Sequence, residues 1–190
     1  SMPVKTTAEF VALAKKRPGE IVYGSAGSGR YLHLAMGLFN SMTGTKMVHV
    51  PYKGGGPVSL AILSGEIQTY IATIGSVYPH LKSQRVRPLG VTSDKRTTQF
   101  PEVPTIAEAV PGYEFTAWIG CFAPKGTPRP IIDKLNAELK KALEQPDVAK
   151  NLSSQTLDPM PMTPEQFSER LKSDYEKYAK VVKITGARIE

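Results

Sequence analysis

Apolar residues change their spacing early in the chain, and the change marks a strand followed by a helix. The short apolar run Ile21–Tyr23 predicts a strand. After a polar interval, apolar residues recur three and four positions apart, which predicts an amphipathic helix that ends near Gly44; they are Leu32, Ala35, Met36, Phe39 and Met42. The interval, Gly24–Arg30, consists of glycine, serine and alanine up to its final arginine, and we call it the glycine loop.

The same order of elements follows a second time. Met47–Val50 predicts a second strand, and a second glycine-rich segment, Pro51–Pro57, leads into a helix over Val58–Ser64 that Gly65 ends. Two successive strand–loop–helix units indicate an α/β fold with a parallel sheet. Ligands of open α/β sheets bind at the carboxyl ends of the strands, so both glycine-rich loops are expected at a binding edge.

The later pattern predicts a mixed region and then a helical one. A third strand is expected over Ile67–Ile74, ending at Gly75 and Ser76. Further predicted elements are a helix over Tyr78–Gln84, a strand over Pro88–Val91, a capping box at Thr105–Glu108 and a crossing strand over Tyr113–Phe122. Amphipathic helices are predicted after Thr127, over Asp147–Ser154, and from Thr163 to Gly186.

The glycine loop has the chemistry of an anion site. Backbone N–H groups ahead of a helix, together with the helix dipole, favour a negative charge, and small residues allow it to approach the backbone. Tyr52 and Lys53 from the second loop could add a hydroxyl and a positive charge. An ordinary strand–helix turn with a solvated lysine is an equally good interpretation of these residues.

Two nucleotide motifs are excluded at this loop. The P-loop pattern is matched at Gly24 and Gly29, but Arg30 and Tyr31 replace its lysine and its magnesium-binding hydroxyl. The dinucleotide pattern begins at Gly27 and fails at Leu32, where its third glycine belongs. A metal-free site for a carboxylate is the remaining prediction.

Composition and charge narrow the class of protein. A chain of 190 residues with 41% hydrophobic and 22% charged residues is typical of a globular protein, and no apolar run approaches the roughly 20 residues of a membrane span. The net charge is +7, and residues 1–112 carry 12 basic and 6 acidic side chains, which suits an anionic ligand. Nucleic acid is not expected as a partner, since no recognised motif is present.

The remaining reactive residues predict no catalytic or metal site. Cys121 is the single cysteine and lies in an apolar run, so a buried thiol is expected. His33, His49 and His80 have no metal-ligand spacing, and His33 is expected to pack or bond locally. We predict no metal and no cofactor. An enzyme using Lys53 or His33 as a base is the weaker hypothesis, because no paired acid and base are apparent.

The ordered segments GSAGSGRYLHLA, VHVPYKGGGP, RPLGVTSDKR, FPEVPTIAEA and GYEFTAWIGCFAPKGTP resemble the substrate-binding proteins of tripartite tricarboxylate transporters, the Bug family. The resemblance implies a periplasmic receptor of the type II, Venus-flytrap fold that passes a small organic anion to membrane permease subunits. Service to a membrane sensor is an alternative. The resemblance also implies about a hundred further residues ahead of Ser1. The dipeptide Ser1-Met2 looks like an expression scar.

Within this resemblance, residues 1–112 would form the second lobe and residues 113–190 the crossing strand and C-terminal helices of the first. Arg30 and Gln68 depart from the family pattern, which usually has Ser or Thr and Asp there. Both changes favour more negative ligands if they face the cleft. A homo-oligomer of this chain is expected to cover the C-terminal apolar stripes. The predicted ligand-binding residues are Ser25, Ala26, Gly27, Ser28, Gly29, Arg30, Tyr52, Lys53, Gly54, Gly55, Gly75 and Ser76.

Overall fold

The structure is a computed structural model and describes residues 2–155 and 157–186. The chain divides into two compact units. The first contains the described residues up to Ala117 and those from Lys180 onward, and the second contains Trp118–Ala179. The assignment of residues 1–112 and 113–190 to two lobes of a receptor stays a prediction.

The first unit is built on a three-stranded parallel sheet. Its strands are β1 (Val22–Ser25), β2 (Val48–Pro51) and β3 (Thr69–Tyr70), in the order β2-β1-β3. Ser25 lies opposite Pro51, and Gly24 lies opposite Tyr70, so the three carboxyl ends meet at one edge. The helices of this unit are α1 (Thr7–Lys16), α2 (Tyr31–Thr43), α3 (Gly55–Ser64) and α4 (Ile74–Lys82).

Local sequence signals set several of these helix ends. Thr6 and Glu9 form a capping box at the start of α1, in which each side chain bonds the other residue's backbone N–H. Gly44 and Gly65 end α2 and α3 in the left-handed conformation that glycine adopts without steric cost. The first two predicted strands and the helix that ends at Gly44 are therefore confirmed.

Apolar side chains on both faces of the sheet form the core of the first unit. Val58 and Ala61 of α3 pack with Ile67 on one face. The Phe39 ring of α2 contacts the rings of Phe10 and Tyr113. The Tyr113 hydroxyl is buried and donates a hydrogen bond to the Ala35 carbonyl oxygen at 3.0 Å, so its polar atom has a partner.

Several predicted elements between β3 and the C-terminal helices are wrong. The third strand comprises only Thr69–Tyr70, and α4 begins at Ile74 rather than near Tyr78. In place of a strand over Pro88–Val91 there is a parallel bridge from Val91 to Thr105. The capping box at Thr105–Glu108 is confirmed, and it starts a 3-10 turn, Ile106–Glu108. The segment predicted as a crossing strand, Tyr113–Phe122, is extended chain without strand pairing.

The second unit is helical, as predicted. Its helices are α5 (Arg129–Leu143), α6 (Pro146–Ser154) and α7 (Pro164–Thr185), and α7 continues into the first unit at Lys180. The Trp118 indole N–H donates a hydrogen bond to the Asp174 carboxylate at 2.6 Å, and the Phe167 ring contacts the Trp118 ring. No helix within the described ranges is both long and apolar enough for a membrane span.

The apolar run around Cys121 is not a core segment. Cys121 is exposed, which corrects the prediction of a buried thiol. Its neighbours Ile119 and Phe122 are 85% and 61% exposed. On α5, Ile131, Leu135 and Leu139 are also about half exposed and form one stripe along the helix.

Candidate functional site

Three loops leave the sheet at the same edge, and each leads into a helix. The glycine loop joins β1 to α2, the second loop joins β2 to α3, and a short segment joins β3 to α4. The Tyr52 N–H donates to the Ser25 carbonyl oxygen at 2.8 Å, which ties the second loop to the end of β1. The predicted site residues are thus placed along one sheet edge.

The three helix starts at this edge lack a side-chain cap. The residues that precede α2, α3 and α4 are Arg30, Gly54 and Thr73, and none of their side chains caps the helix. This contrasts with α1, where Thr6 accepts a hydrogen bond from the Glu9 N–H. Uncapped first-turn N–H groups and the positive end of the helix dipole are favourable for an anion.

Inside the glycine loop, alternate backbone N–H groups are bonded to the protein. Gly27 N–H donates to Ser25 Oγ at 3.3 Å, and Gly29 N–H donates to His33 Nδ1 at 3.0 Å. Across the described part of the chain, the N–H groups of Ala26 and Ser28 have no protein partner. These two groups are therefore the loop donors that an anion could use without breaking an existing bond.

Two histidines lie beneath the glycine loop, and their contact was not predicted from the sequence. His33 of α2 and His49 of β2 stack with ring centroids 3.9 Å apart and planes 12° apart. Ser25 Oγ lies 2.7 Å from His49 Nε2, and Tyr23 stacks on His49 at 4.9 Å. The register that pairs Tyr23 with His49 was the signal that could have found this cluster, but it requires knowledge of the strand pairing.

Burial makes both histidines hard to protonate. It lowers the pKa of His33 below its usual 6.5. It lowers the pKa of His49 to about 4, with a further contribution from the nearby charge of His33. Burial also raises the pKa of Tyr23 to about 12, so the phenol stays neutral beside them. Ser25 is 1% exposed, and its hydroxyl bonds within this cluster, so it supports the loop from below.

The second loop offers a positive charge and open backbone. Lys53 is exposed, and a Cβ added at Gly54, Gly55 or Gly56 would meet no atom within 4 Å, so the start of α3 is open. The Tyr52 hydroxyl donates to Glu66 at 2.7 Å, and this bond raises the pKa of Tyr52 to about 12. An anion would therefore compete with Glu66 for that hydroxyl.

The third group of predicted residues lies on a different element from the one expected. Gly75 and Ser76 belong to the first turn of α4 rather than to the end of a strand. The Ser76 hydroxyl donates to the Thr73 carbonyl oxygen at 2.8 Å. These residues lie at the carboxyl edge because only three residues separate the end of β3 from the start of α4.

Arg30 lies over the glycine loop. A Cβ added at Gly27 would come within 3.1 Å of Arg30 Cδ and 3.2 Å of its Nε, so the arginine side chain folds back across the loop. Arg30 and Lys53 are both exposed, and neither forms an ion pair with any residue in 2–155 or 157–186. The edge therefore carries two available positive charges.

Gln68 does not belong to this edge. Its side-chain oxygen accepts a hydrogen bond from the Val22 N–H at 2.9 Å, at the amino end of β1. The expected departure at Gln68 therefore lies at the opposite end of the sheet from the glycine loop. No cluster of histidine, cysteine and carboxylate side chains suited to a metal is found among the described residues.

A separate cavity of about 570 Å³ lies in the first unit. Its lining is largely apolar and includes Val4, Phe10, Ile67, Leu89 and Val103. None of the predicted ligand-binding residues lines it. The cavity reaches the start of α4 at Ile74 and is also lined by Arg85 and Arg87, but no residue of the two glycine-rich loops lines it.

Comparison with known proteins identifies the family. Residues 1–187 match the model of the tripartite tricarboxylate transporter family receptors (TctC), and the chain belongs to this family. It is 39% identical over 176 residues to the UPF0065 protein in the tcbD-tcbE intergenic region of Pseudomonas sp. strain P51, covering 92% of this chain and 52% of that protein. It is 34% identical over 182 residues to protein BugT of Bordetella pertussis, covering 95% and 56%.

Solved structures confirm the predicted periplasmic-binding-protein fold. An R. palustris protein with adipate matches with a TM-score of 0.84 and 34% identity, covering 98% of this chain and 63% of that one. MatC from Rhodopseudomonas palustris, with bound malate, matches with a TM-score of 0.75 and 30% identity, covering 95% and 63%. The chain spans about half the length of the curated relatives it matches. The family and fold are those of solute-binding proteins.

Proposed function

We propose that this chain forms part of a solute receptor that binds a small dicarboxylate at the edge formed by the glycine loop and the starts of α3 and α4. The observation that carries the proposal is the meeting of three uncapped helix N-termini at the carboxyl edge of one parallel sheet. Each supplies backbone donors and a partial positive charge to the same region.

A dicarboxylate fits the charges better than the other anions that bind at helix starts. The glycine loop lacks the lysine and hydroxyl of a P-loop, which disfavours a nucleotide phosphate. Arg30 and Lys53 supply two positive charges, one from each glycine-rich loop. Relatives of the same fold hold adipate and malate, which are both dicarboxylates. The predicted ligand-binding residues enter the proposal with Ser25 moved to a supporting role.

The biological setting in this proposal follows from the family. Membership in the tripartite tricarboxylate transporter receptors supports a periplasmic location and delivery of the solute to membrane permease subunits. Because the chain covers 63% of the compared structures, we expect it to make part of the contacts of a complete receptor and to bind with a dissociation constant of roughly 1 mM.

Titration calorimetry with malate, adipate and neutral analogues tests the proposal. The analogues are malamide and adipamide, which keep the length of each ligand and remove its charge. We expect heat of binding from the two dicarboxylates and none from the diamides, because the proposed donors stabilise negative charge. Equal binding of adipate and adipamide would contradict the proposal. Recovery of unchanged malate after prolonged incubation is expected of a receptor, and its consumption would favour the enzyme alternative.

A further inference from the structure

The bonding of the glycine loop assigns a role to a histidine that does not itself face the proposed ligand. Gly29 N–H donates to His33 Nδ1, and Gly27 N–H donates to Ser25 Oγ. These two bonds hold alternate amides inward and leave Ala26 and Ser28 available. His33 is 9% exposed and lies on the first turn of α2, so its ring is fixed by the helix that the loop leads into.

We propose that His33 is a positioning residue for the anion site, and that protonation of the stacked His33–His49 pair releases the glycine loop and weakens anion binding. The inference rests on the proposed function. A neutral His33 can accept the Gly29 N–H at Nδ1, whereas a protonated one carries hydrogen on both ring nitrogens and cannot. The loop must then move, because Gly29 N–H would point at another donor.

We call the glycine loop closed when the Gly29 N–H bonds His33 Nδ1, as it does in the structure. The surroundings of the histidine pair oppose its protonation in this closed loop. Rings 3.9 Å apart place any second positive charge next to the first. The described titratable groups that face the pair are the two imidazoles themselves and the Tyr23 phenol, which stays neutral. From α2 and the end of α7, the residues beside Tyr23 and His33 are uncharged: Gly37, Asn40, Ser41, Ile184 and Thr185.

The direction of the pH dependence follows from the lowered pKa values. The folded chain prefers the neutral pair, so the closed loop keeps its full stability above about pH 6.5 and loses it as pH falls toward 4. A ligand that requires the closed loop binds in proportion to the population of that loop. Attraction between a protonated histidine and the anion acts in the opposite direction, and the affinity measurement decides between the two.

Two variants of His33 separate its acceptor from its proton. His33→Asn places a carbonyl oxygen near the position of Nδ1 and cannot be protonated, whereas His33→Phe keeps a ring and has no acceptor. His80→Asn, on α4, is the matched control because His80 belongs to a different helix. Binding of malate is measured from pH 7.5 to pH 5.0, and each affinity is divided by that of His33→Asn at the same pH, which cancels the titration of malate.

We expect a ratio of wild type to His33→Asn near 1 at pH 7.5 that falls about threefold or more by pH 5.0, with His80→Asn following the wild type. His33→Phe should bind weakly at every pH. A ratio that stays constant or rises on acidification would overturn the proposal. The Gly29 amide, followed by NMR without ligand, should shift with the titration of His33 and lose protection from exchange. This NMR measurement decides the role of His33 even if malate does not bind. Failure of malate to bind would contradict the proposed function and not the role of His33.

Discussion

Ser25 Oγ lies 2.7 Å from His49 Nε2, so the last residue of β1 is joined through its side chain to the neighbouring strand. The same hydroxyl accepts the Gly27 N–H at 3.3 Å and lies 3.1 Å from the Gly27 carbonyl oxygen. One small buried side chain therefore connects the sheet, the histidine pair and the glycine loop. It is the structural support of the proposed site.

Ser25→Ala should destabilise the chain by about 1–3 kcal/mol, because it leaves buried polar groups of His49 and Gly27 without their partner. Urea unfolding followed by circular dichroism gives the change in the free energy of unfolding. Ser28→Ala is the matched control, since Ser28 is a loop serine whose hydroxyl has no hydrogen bond to another described residue. Equal effects of the two substitutions would contradict a supporting role for Ser25.

Gly24→Ala should be destabilising by about 1–3 kcal/mol because of overpacking. A Cβ at this position would lie 2.5 Å from Ile67 Cδ1 and 2.5 Å from Val58 Cγ2, and both side chains are buried in the core. Gly55→Ala, where a Cβ meets nothing within 4 Å, should be neutral or slightly stabilising. Urea unfolding of both variants checks the pair, and a neutral Gly24→Ala would show that the loop does not pack against α3 in this way.

Arg30→Ser should weaken the binding of dicarboxylates more than the binding of monocarboxylates, because it removes one of two exposed cations at the edge. We expect a loss of about threefold to fivefold for adipate, the upper part of the range for an exposed charge pair, and less than about twofold for hexanoate. Calorimetry measures both affinities. Lys15→Gln removes the same charge from the far end of α1 and should leave them unchanged. Equal losses for both ligands would place Arg30 outside the site.

The exposed stripe of α5 predicts self-association of the chain. Ile131, Leu135 and Leu139 are 50%, 50% and 45% exposed, and burying the exposed half of each side chain would contribute about half of the roughly 1.5–3 kcal/mol of full burial. We expect a concentration-dependent dimer by light scattering, and a monomer after all three residues are replaced by glutamine. A wild-type monomer at every accessible concentration would contradict the expectation.

Elements whose signals are local could be predicted from the sequence. The strand around Val22, the capping box at Thr6 and the helix ends at Gly44 and Gly65 depend on residues a few positions apart, and the structure has them. The family resemblance, which depends on ordered motifs, gave the fold.

Elements that need a distant partner could not be predicted. The apolar run Tyr113–Phe122 has strand composition, but it pairs with none of the three strands, and its Phe115 N–H donates to the Thr92 carbonyl oxygen instead. A strand requires a paired neighbour as well as suitable residues. The prediction that Cys121 is buried failed for a similar reason, because an apolar run does not show whether another segment covers it.

The sequence predicted that the glycine-rich loops lie at one edge of the sheet, but it did not predict the hydrogen bonding inside the glycine loop. The sequence placed small residues and amides at the edge, but it could not show that Gly27 and Gly29 bond inward while Ala26 and Ser28 do not. That alternation depends on His33, four residues after Gly29 and one helical turn away, and on His49 from another strand. Only the register of β1 with β2 brings these groups together.

The most direct test of the proposed site is an NMR titration of the ¹⁵N-labelled chain with adipate, using adipamide as the matched neutral ligand. We predict saturable shifts of the amides of Ala26, Ser28, Gly55 and Gly75, with little change at Val4 and Leu89, which line the separate cavity. Adipamide should leave all of them unchanged. Shifts that centre on the cavity and spare the glycine loop would contradict the assignment of the binding site.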